Sequence, residues 1–399
     1  MSLSTPQGGQ ARKHRIDERF TALRGCAALI VMMAHCQYVG FLPALPVFKY
    51  SGQLGVMLFF FLSAFLLSHS LTSALERGAG RSQAIGEYAI NRVFRIFPLL
   101  IVVVTLCWWQ GLAFFPATAS YIEVVQSCVT LGKAPSVLWT IPVELTFYLY
   151  LPALLSIALR ATRSPLGATA AALGFLTWCF AIAASRRLGG PAAPWMTLGF
   201  HHYANSFVGG VLLYALMHNG RLAFPKAGAA VAYAAPALFV IAVPFVRHAI
   251  FGRDWHMSEF ADTLVWQAYY DEIFPFAPLV VAGIVYGILH PGDTWLSRIM
   301  RARVLRRSGE LSFGVYLVHM PMIDLFGQRL GYGQPALAAA VAATFALAAV
   351  LWRVVERPGI GFGRRIGRAL HFRNAPSRPI QRLAAADAAE DARRPALRA

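Results

Sequence analysis

Arg24, His35, Arg92, Arg95, Glu144 and His319 are the ionisable residues of this sequence whose surroundings read as strongly apolar. Charge in such surroundings is costly, so each of them is a candidate for function. Arg24 and His35 are eleven residues apart. On a helix that interval turns through three revolutions plus about 20°, so both side chains share one face, about 16 Å apart along the axis. Arg92 and Arg95 share a face by their i,i+3 spacing. Three guanidinium forks at one level suit a polyphosphate, because each fork can hold two oxygens at once. The competing account of the arginines is snorkelling at a membrane surface.

An imidazole can take up and return a proton near neutral pH, which makes His35 a general base. Its segment places it about 9 Å from one end, and Glu144 lies about 10 Å from the corresponding end of its own segment. The matching depths predict that the Glu144 carboxylate flanks the imidazole and orients it. His319 lies about 12 Å into its segment from the opposite side, next to Pro321. It is the rival base, unless it only satisfies backbone groups freed by the proline.

These side chains need elements that hold them in an apolar phase, and the composition supplies such elements. The chain has 399 residues, 57% hydrophobic and only 14% charged, with a net charge of +18. Ordinary globular chains carry roughly 25% charged residues. Soluble, disordered and collagenous classes are excluded, and an all-α, polytopic transmembrane bundle is expected. About ten segments have the length and apolarity of spans: 22–41, 54–73, 96–115, 137–156, 166–185, 204–217, 227–246, 275–290, 311–327 and 335–353. None alternates like a strand. The first reads as an uncleaved anchor, since its preceding arm has mixed charge and further spans follow.

Lys and Arg concentrate in the N-terminal arm, in alternate loops and in the tail, which predicts an N-in/C-in topology. The domain reading is a basic cytoplasmic arm over 1–21, a membrane domain over 22–358, and a basic, disordered cytoplasmic tail over 359–399. Membrane lipid, not nucleic acid, accounts for the positive charge. The five cysteines show no CxxC spacing, and neither metal-binding nor P-loop motifs occur. The loop at 247–274 combines carboxylates with aromatic rings; Trp255 and Trp266 are the candidates there for stacking on an acceptor sugar.

In order along the chain stand Leu23-Arg24-Gly25-x-Ala27-Ala28 leading to His35, then Phe59-Phe60-Phe61-Leu62-Ser63-x-Phe65-Leu66, and Arg92-x-x-Arg95-Ile96-x-Pro98. Leu138-Trp139-Thr140-x-x-Val143-Glu144-x-x-Phe147-Tyr148 follows, then Gly309-x-x-Ser312-x-x-x-Tyr316-Leu317-x-His319-x-Pro321, and Val355-Glu356-Arg357-Pro358. In these motifs the chain resembles the acyltransferase family 3 membrane O-acyltransferases, which modify sugars of cell-surface glycans and related acceptors. Thr21, Ala64 and Asn91 depart from the family's usual Asp, Gly and Arg. The resemblance implies that Arg24, Arg92 and Arg95 hold the phosphates of acyl-CoA, with His35 as catalytic base and Glu144 in or beside the site. Ser63, Trp139, Tyr148, Tyr316 and His319 become candidates for lining it.

The implied reaction moves an acyl group, expected to be acetyl from acetyl-CoA, to a hydroxyl of a glycan, a lipid-linked sugar or a similar acceptor at or beyond the membrane. No bound cofactor or metal is expected, and a bacterial-type inner membrane is the implied location. A proton-coupled transporter or flippase is the alternative, since intramembrane His and Glu also suit a carrier.

Overall fold

The computed structural model describes residues 6–42, 51–112, 120–130, 134–188, 200–222, 274–289 and 295–374, and every regular element among them is helical. The order is α1 (Pro6–Tyr38), α2 (Ser51–Glu76), α3 (Arg81–Gln110), α4 (Tyr121–Val129) and a 3-10 turn (Ser136–Trp139) opening α5 (Thr140–Ala161). Then come α6 (Pro165–Leu188), α7 (Phe200–His218), α8 (Ala277–Leu289), α9 (Trp295–Ile299), α10 (Arg303–Glu310) and α11 (Ser312–Leu330). The last are α12 (Gln334–Leu351), a π-turn (Trp352–Glu356) and α13 (Arg357–Asn374).

Among the described residues, six stretches are long and apolar enough to cross a membrane: Asp17–Tyr38, Gly52–Glu76, Arg81–Gln110, Ser136–Ala161, Pro165–Ala184 and Gln334–Ala369. Outward-facing Leu149, Ile157, Leu173, Phe180 and Val354 are exposed. Apolar exposure on so many helices is what a hydrocarbon surrounding favours and water does not. Of the expected segments 204–217, 275–290 and 311–327, the parts that fall in α7, α8 and α11 are also helical. The segment 227–246 lies outside the described residues, as do Trp255 and Trp266.

Helix α1 is the axis of the site-bearing half: it packs against α2, α10 and α11, while α2 also meets α7 and α8. With no water to expel, helices in lipid associate by close packing, which small residues permit. At the α1–α10 crossing a Cβ on Gly309 would fall 1.7 Å from the Thr21 carbonyl oxygen, and one on Gly25 would fall 2.2 Å from that of Leu305. Only glycine fits at either position. This contact fixes the height of α1, and with it Arg24, against α10 and the following α11.

Two boundaries differ from expectation for one reason. Helix α3 begins at Arg81, not near residue 96, and the chain past 358 continues as a helix to Asn374. The disordered tail expected from 359 therefore does not begin there. Gly359, Gly363 and Gly367 form one ridge on α13; their Cβ positions meet Phe94 O at 2.9 Å, Phe94 Cβ at 2.7 Å and Glu87 Cγ at 2.9 Å. The two polar stretches stabilise each other as helices, which a hydropathy window does not register. Arg92 and Arg95 consequently sit well inside a long helix.

Candidate active site

A narrow cavity of about 220 Å³ lies between α1, α2, α3, α5 and α11. Its lining residues on α2 run from Val56 to Ser70, a rise of about 21 Å at 1.5 Å per residue. A volume this small over that length is a thread-like passage. Its two ends differ in chemistry.

At one end stand Arg24, Arg92 and Arg95. Arg24 comes from α1 and the other two from successive turns of α3, held against α13 by the glycine ridge. Arg24 lies within electrostatic reach of Arg92 and Arg95, Arg95 of Arg92, and both Arg24 and Arg95 of the carboxylates Glu144 and Glu356. Among the described residues, however, none of the three forms an ion pair within 4.0 Å or a hydrogen bond. The Nε of Arg92 is buried without a partner. Uncompensated positive charge away from water is costly, and an anionic ligand removes that cost.

Midway, Glu144 Oε1 accepts hydrogen bonds from Ser63 Oγ at 3.1 Å and Tyr148 Oη at 2.5 Å. Tyr88 Oη on α3 donates to the Tyr148 carbonyl at 3.3 Å, tying α3 to α5. Pro142 does not break the helix before Glu144. It occupies the first turn of α5, where backbone N–H groups have no partner within the helix anyway.

The other end is aromatic: Phe59, Phe60 and Tyr316 line it together with Val56, Thr140 and Ile141. Tyr316 Oη donates to the Val137 carbonyl at 2.8 Å, pinning the 3-10 turn that opens α5. Ser136 begins that turn with φ 48°, left-handed backbone that a non-glycine residue rarely adopts. Such strain persists where surrounding contacts over-determine a loop.

Immediately behind Tyr316 lie the two histidines. The Tyr316 and His319 ring centroids are 5.8 Å apart, and those of His319 and His35 are 5.0 Å apart. His319 Nε2 is 3.2 Å from His35 Nδ1. The tautomers follow from the remaining bonds. Carbonyl oxygens only accept, so His319 Nδ1, 2.7 Å from Tyr316 O and 3.2 Å from Val315 O, carries a proton. His35 Nδ1, 2.9 Å from Val31 O, carries one too and shares it with His319 Nε2. The basic lone pair of His35 is thereby left on Nε2. His319 is 1% exposed with both nitrogens engaged, whereas His35 is only half-buried.

Of the expected residues, Arg24, Arg92, Arg95, Ser63, Glu144, Tyr148 and Tyr316 line one cavity. Trp139 stands behind the wall, with its ring 4.9 Å from Tyr203 and 6.3 Å from Phe60. Glu144, expected beside the imidazole, instead bonds Ser63 and Tyr148, and the neighbour of the His35 ring is His319. The α1–α10 contact explains this. From Thr21 opposite Gly309, α1 and the α10–α11 segment rise along each other and reach His35 and His319 at similar heights.

Glu356 is the residue that spacing arguments passed over. It is 4% exposed on the π-turn, its Oε2 has no partner among the described residues, and its charge acts on Arg95 and Arg24. The signal was available, since a carboxylate beside Arg357 and Pro358 ends an apolar segment. A period-3.6 reading, though, does not foresee a π-turn.

Among the described residues no group of three or more His, Cys, Asp or Glu side chains is placed to hold a metal ion. No solved structure matches the chain. The peptidoglycan O-acetyltransferase OatA of Listeria monocytogenes serovar 1/2a is 25% identical over 374 residues, covering 84% of this chain and 54% of that protein. The chain thus spans about half the length of that relative. A candidate acetyltransferase, ORF330 of Acidianus two-tailed virus, is 32% identical over 142 residues, covering 34% of this chain and 40% of the viral protein. A family model described as an acyltransferase domain matches residues 17–353, taking in the arginines, Glu144 and both histidines. The chain is a multi-pass helical membrane protein, and it belongs to acyltransferase family 3.

Proposed function

We propose that the protein is a membrane O-acyltransferase that takes an acyl group from acyl-CoA and passes it to a hydroxyl of a glycan-type acceptor. The observation that carries this reading is the arginine end of the cavity: three guanidinium groups, no ion pair among the described residues, and a narrow passage leading from them to Tyr316, behind which the histidine pair lies. A coenzyme A thioester matches each part. Its phosphates meet Arg24, Arg92 and Arg95, and its flexible arm threads the passage. Ser63, Glu144 and Tyr148 offer hydrogen-bond partners to the amides of that arm, and Glu144 also restrains the arginines through its charge. A carrier would not need the arginine cluster.

In the proposed step the acceptor hydroxyl gives its proton to His35 Nε2 as its oxygen attacks the thioester carbonyl. The carbon–sulfur bond breaks, the ester forms, and the departing thiolate takes the proton back from His35 to leave free coenzyme A. Protonation of His35 strengthens the Nδ1–H bonds to Val31 O and His319 Nε2, because hydrogen bonds from a cation are the stronger kind. His319 is therefore a positioning residue, not a second base.

The remaining parts of the proposal are ten spans, an N-in/C-in topology that puts the arginine end at the cytoplasmic face, and an inner-membrane location. Trp255 and Trp266 are proposed to stack on the acceptor sugar, so their alanine variants should raise the acceptor KM. The deciding experiment follows release of free coenzyme A from acetyl-CoA by the purified protein in detergent, with a glycan oligomer as acceptor. Acceptor-dependent release that disappears in His35→Ala is expected. An intact thioester under all conditions overturns the reading.

A further inference from the structure

Phe60 lines the aromatic end of the passage, and its ring is backed by three others. It stacks on Phe207 at 4.5 Å and 24°. It meets Tyr203 edge-on at 5.5 Å and Trp139 edge-on at 6.3 Å. Phe207 in turn stacks on Phe147 at 4.1 Å. Phe60 is 2% exposed, and Phe147 and Phe207 are fully buried. The cluster joins α2, α5 and α7, and Gly210 locks α7 in place, since a Cβ there would fall 2.4 Å from the Phe61 carbonyl oxygen. Side chains packed in this way do not yield to an added methylene without strain.

Ile141 and Val56 line the same cavity and add to this apolar wall, and Tyr316, which also lines it, leads on to the histidine pair. A thioester carbonyl brought toward His35 from the arginine end would carry its alkyl group against this wall.

We propose that Phe60, backed by Phe207 and Trp139, sets the length of the transferred acyl group and restricts it to short chains. The proposal rests on the reading that the cavity takes acyl-CoA, and it names the acyl class that reading leaves open. Phe60 is a specificity-determining residue here: it takes no proton and binds no phosphate, so its replacement changes which donor is used more than whether one is used. A rigid pocket that must take one more methylene discriminates by roughly 10- to 200-fold.

The test measures coenzyme A release from acetyl-, propionyl-, butyryl- and hexanoyl-CoA by the full chain in detergent. The wild type, Phe60→Ala and Ile141→Ala are compared at matched amounts of monodisperse protein. Wild-type kcat/KM is expected to fall at least about 10-fold between acetyl- and butyryl-CoA. Phe60→Ala should flatten that fall or reverse it. Ile141→Ala, which removes bulk from the same wall without opening the aromatic stack, should shift it in the same direction. Normal acetyl-CoA turnover with an unchanged length profile in both variants overturns the proposal and leaves the donor assignment standing. No turnover of any thioester by the wild type overturns the donor assignment and this proposal together.

Discussion

The two ends of the cavity solve opposite problems. At the arginine end, charged groups are left without close partners among the described residues; beyond the aromatic end, behind Tyr316, three of the four histidine ring nitrogens are hydrogen-bonded and His35 Nε2 has no partner among the described residues. Unpaired guanidinium groups in an apolar setting make sense if a ligand completes them. Fully engaged ring nitrogens fix a tautomer, and a fixed tautomer aims one lone pair. One end is built to bind and the other to move a proton. Helix α1 contributes Arg24 to the first and His35 to the second.

The widest damage is expected from a change that shifts α1, because it disturbs both ends together. Gly309→Ala puts a Cβ against the Thr21 carbonyl. It should cost upward of about 3 kcal/mol through overpacking, with loss of both donor binding and turnover. Thermal unfolding in detergent with a donor-binding assay checks this. If either end survives intact, the crossing does not set the register.

His35→Ala separates the ends. It should lower kcat by about 10²- to 10⁴-fold, the span of general-base catalysis, while donor affinity changes little. His319→Ala should retain more activity than His35→Ala, since it removes a positioning partner and not the base. The reverse ranking at matched expression would move the base to α11.

Arg92→Ala and Arg95→Ala act at the other end. Each should weaken donor binding by about 10- to 100-fold, corresponding to about 1.5–3 kcal/mol for a charge-assisted hydrogen bond. Lysine should restore only part of it, because the planar fork is lost. Titrations of binding against salt and variant check both points.

The smallest effect lies away from both ends. Ser120 and Glu123 form a capping box at the start of α4: Ser120 N–H donates to Glu123 Oε2 at 2.8 Å, and Glu123 N–H donates to Ser120 Oγ at 3.3 Å. The Ser120 backbone N–H, then its hydroxyl, hold the Glu123 carboxyl below its ordinary value. A lowered folded-state pKa stabilises the helix start at pH above the unfolded value, and that contribution fades as pH falls through the folded one. Hydrogen-exchange protection of the α4 amides, taken relative to their intrinsic exchange rate, should therefore fall as pH drops below the ordinary carboxylate range, and Glu123→Ala should remove this pH dependence without altering donor affinity.

What was legible in the sequence follows from the reach of helical periodicity. The shared face of Arg24 and His35, the facing pair Arg92 and Arg95, and the all-helical class are all local consequences of 3.6 residues per turn. What escaped depends on contacts between helices. The height of His319 is set by the Gly309–Thr21 crossing, not by its distance from a helix end. Its bond to His35 was therefore hidden, and Glu144 took its place. The early start of α3 and the extension of α13 stabilise each other, and neither is apolar enough to announce itself. The sequence shows the Val355-Glu356-Arg357-Pro358 motif, but only the π-turn brings Glu356 within reach of the arginines.

The division of labour between the ends is tested most directly by equilibrium binding of a non-reactive thioether analogue of acetyl-CoA. Wild type, Arg95→Ala and His35→Ala would be measured under one buffer condition. The expected result is a Kd raised at least about 10-fold in Arg95→Ala and held within about twofold of wild type in His35→Ala. Equal weakening in both variants, or none in Arg95→Ala, would contradict it.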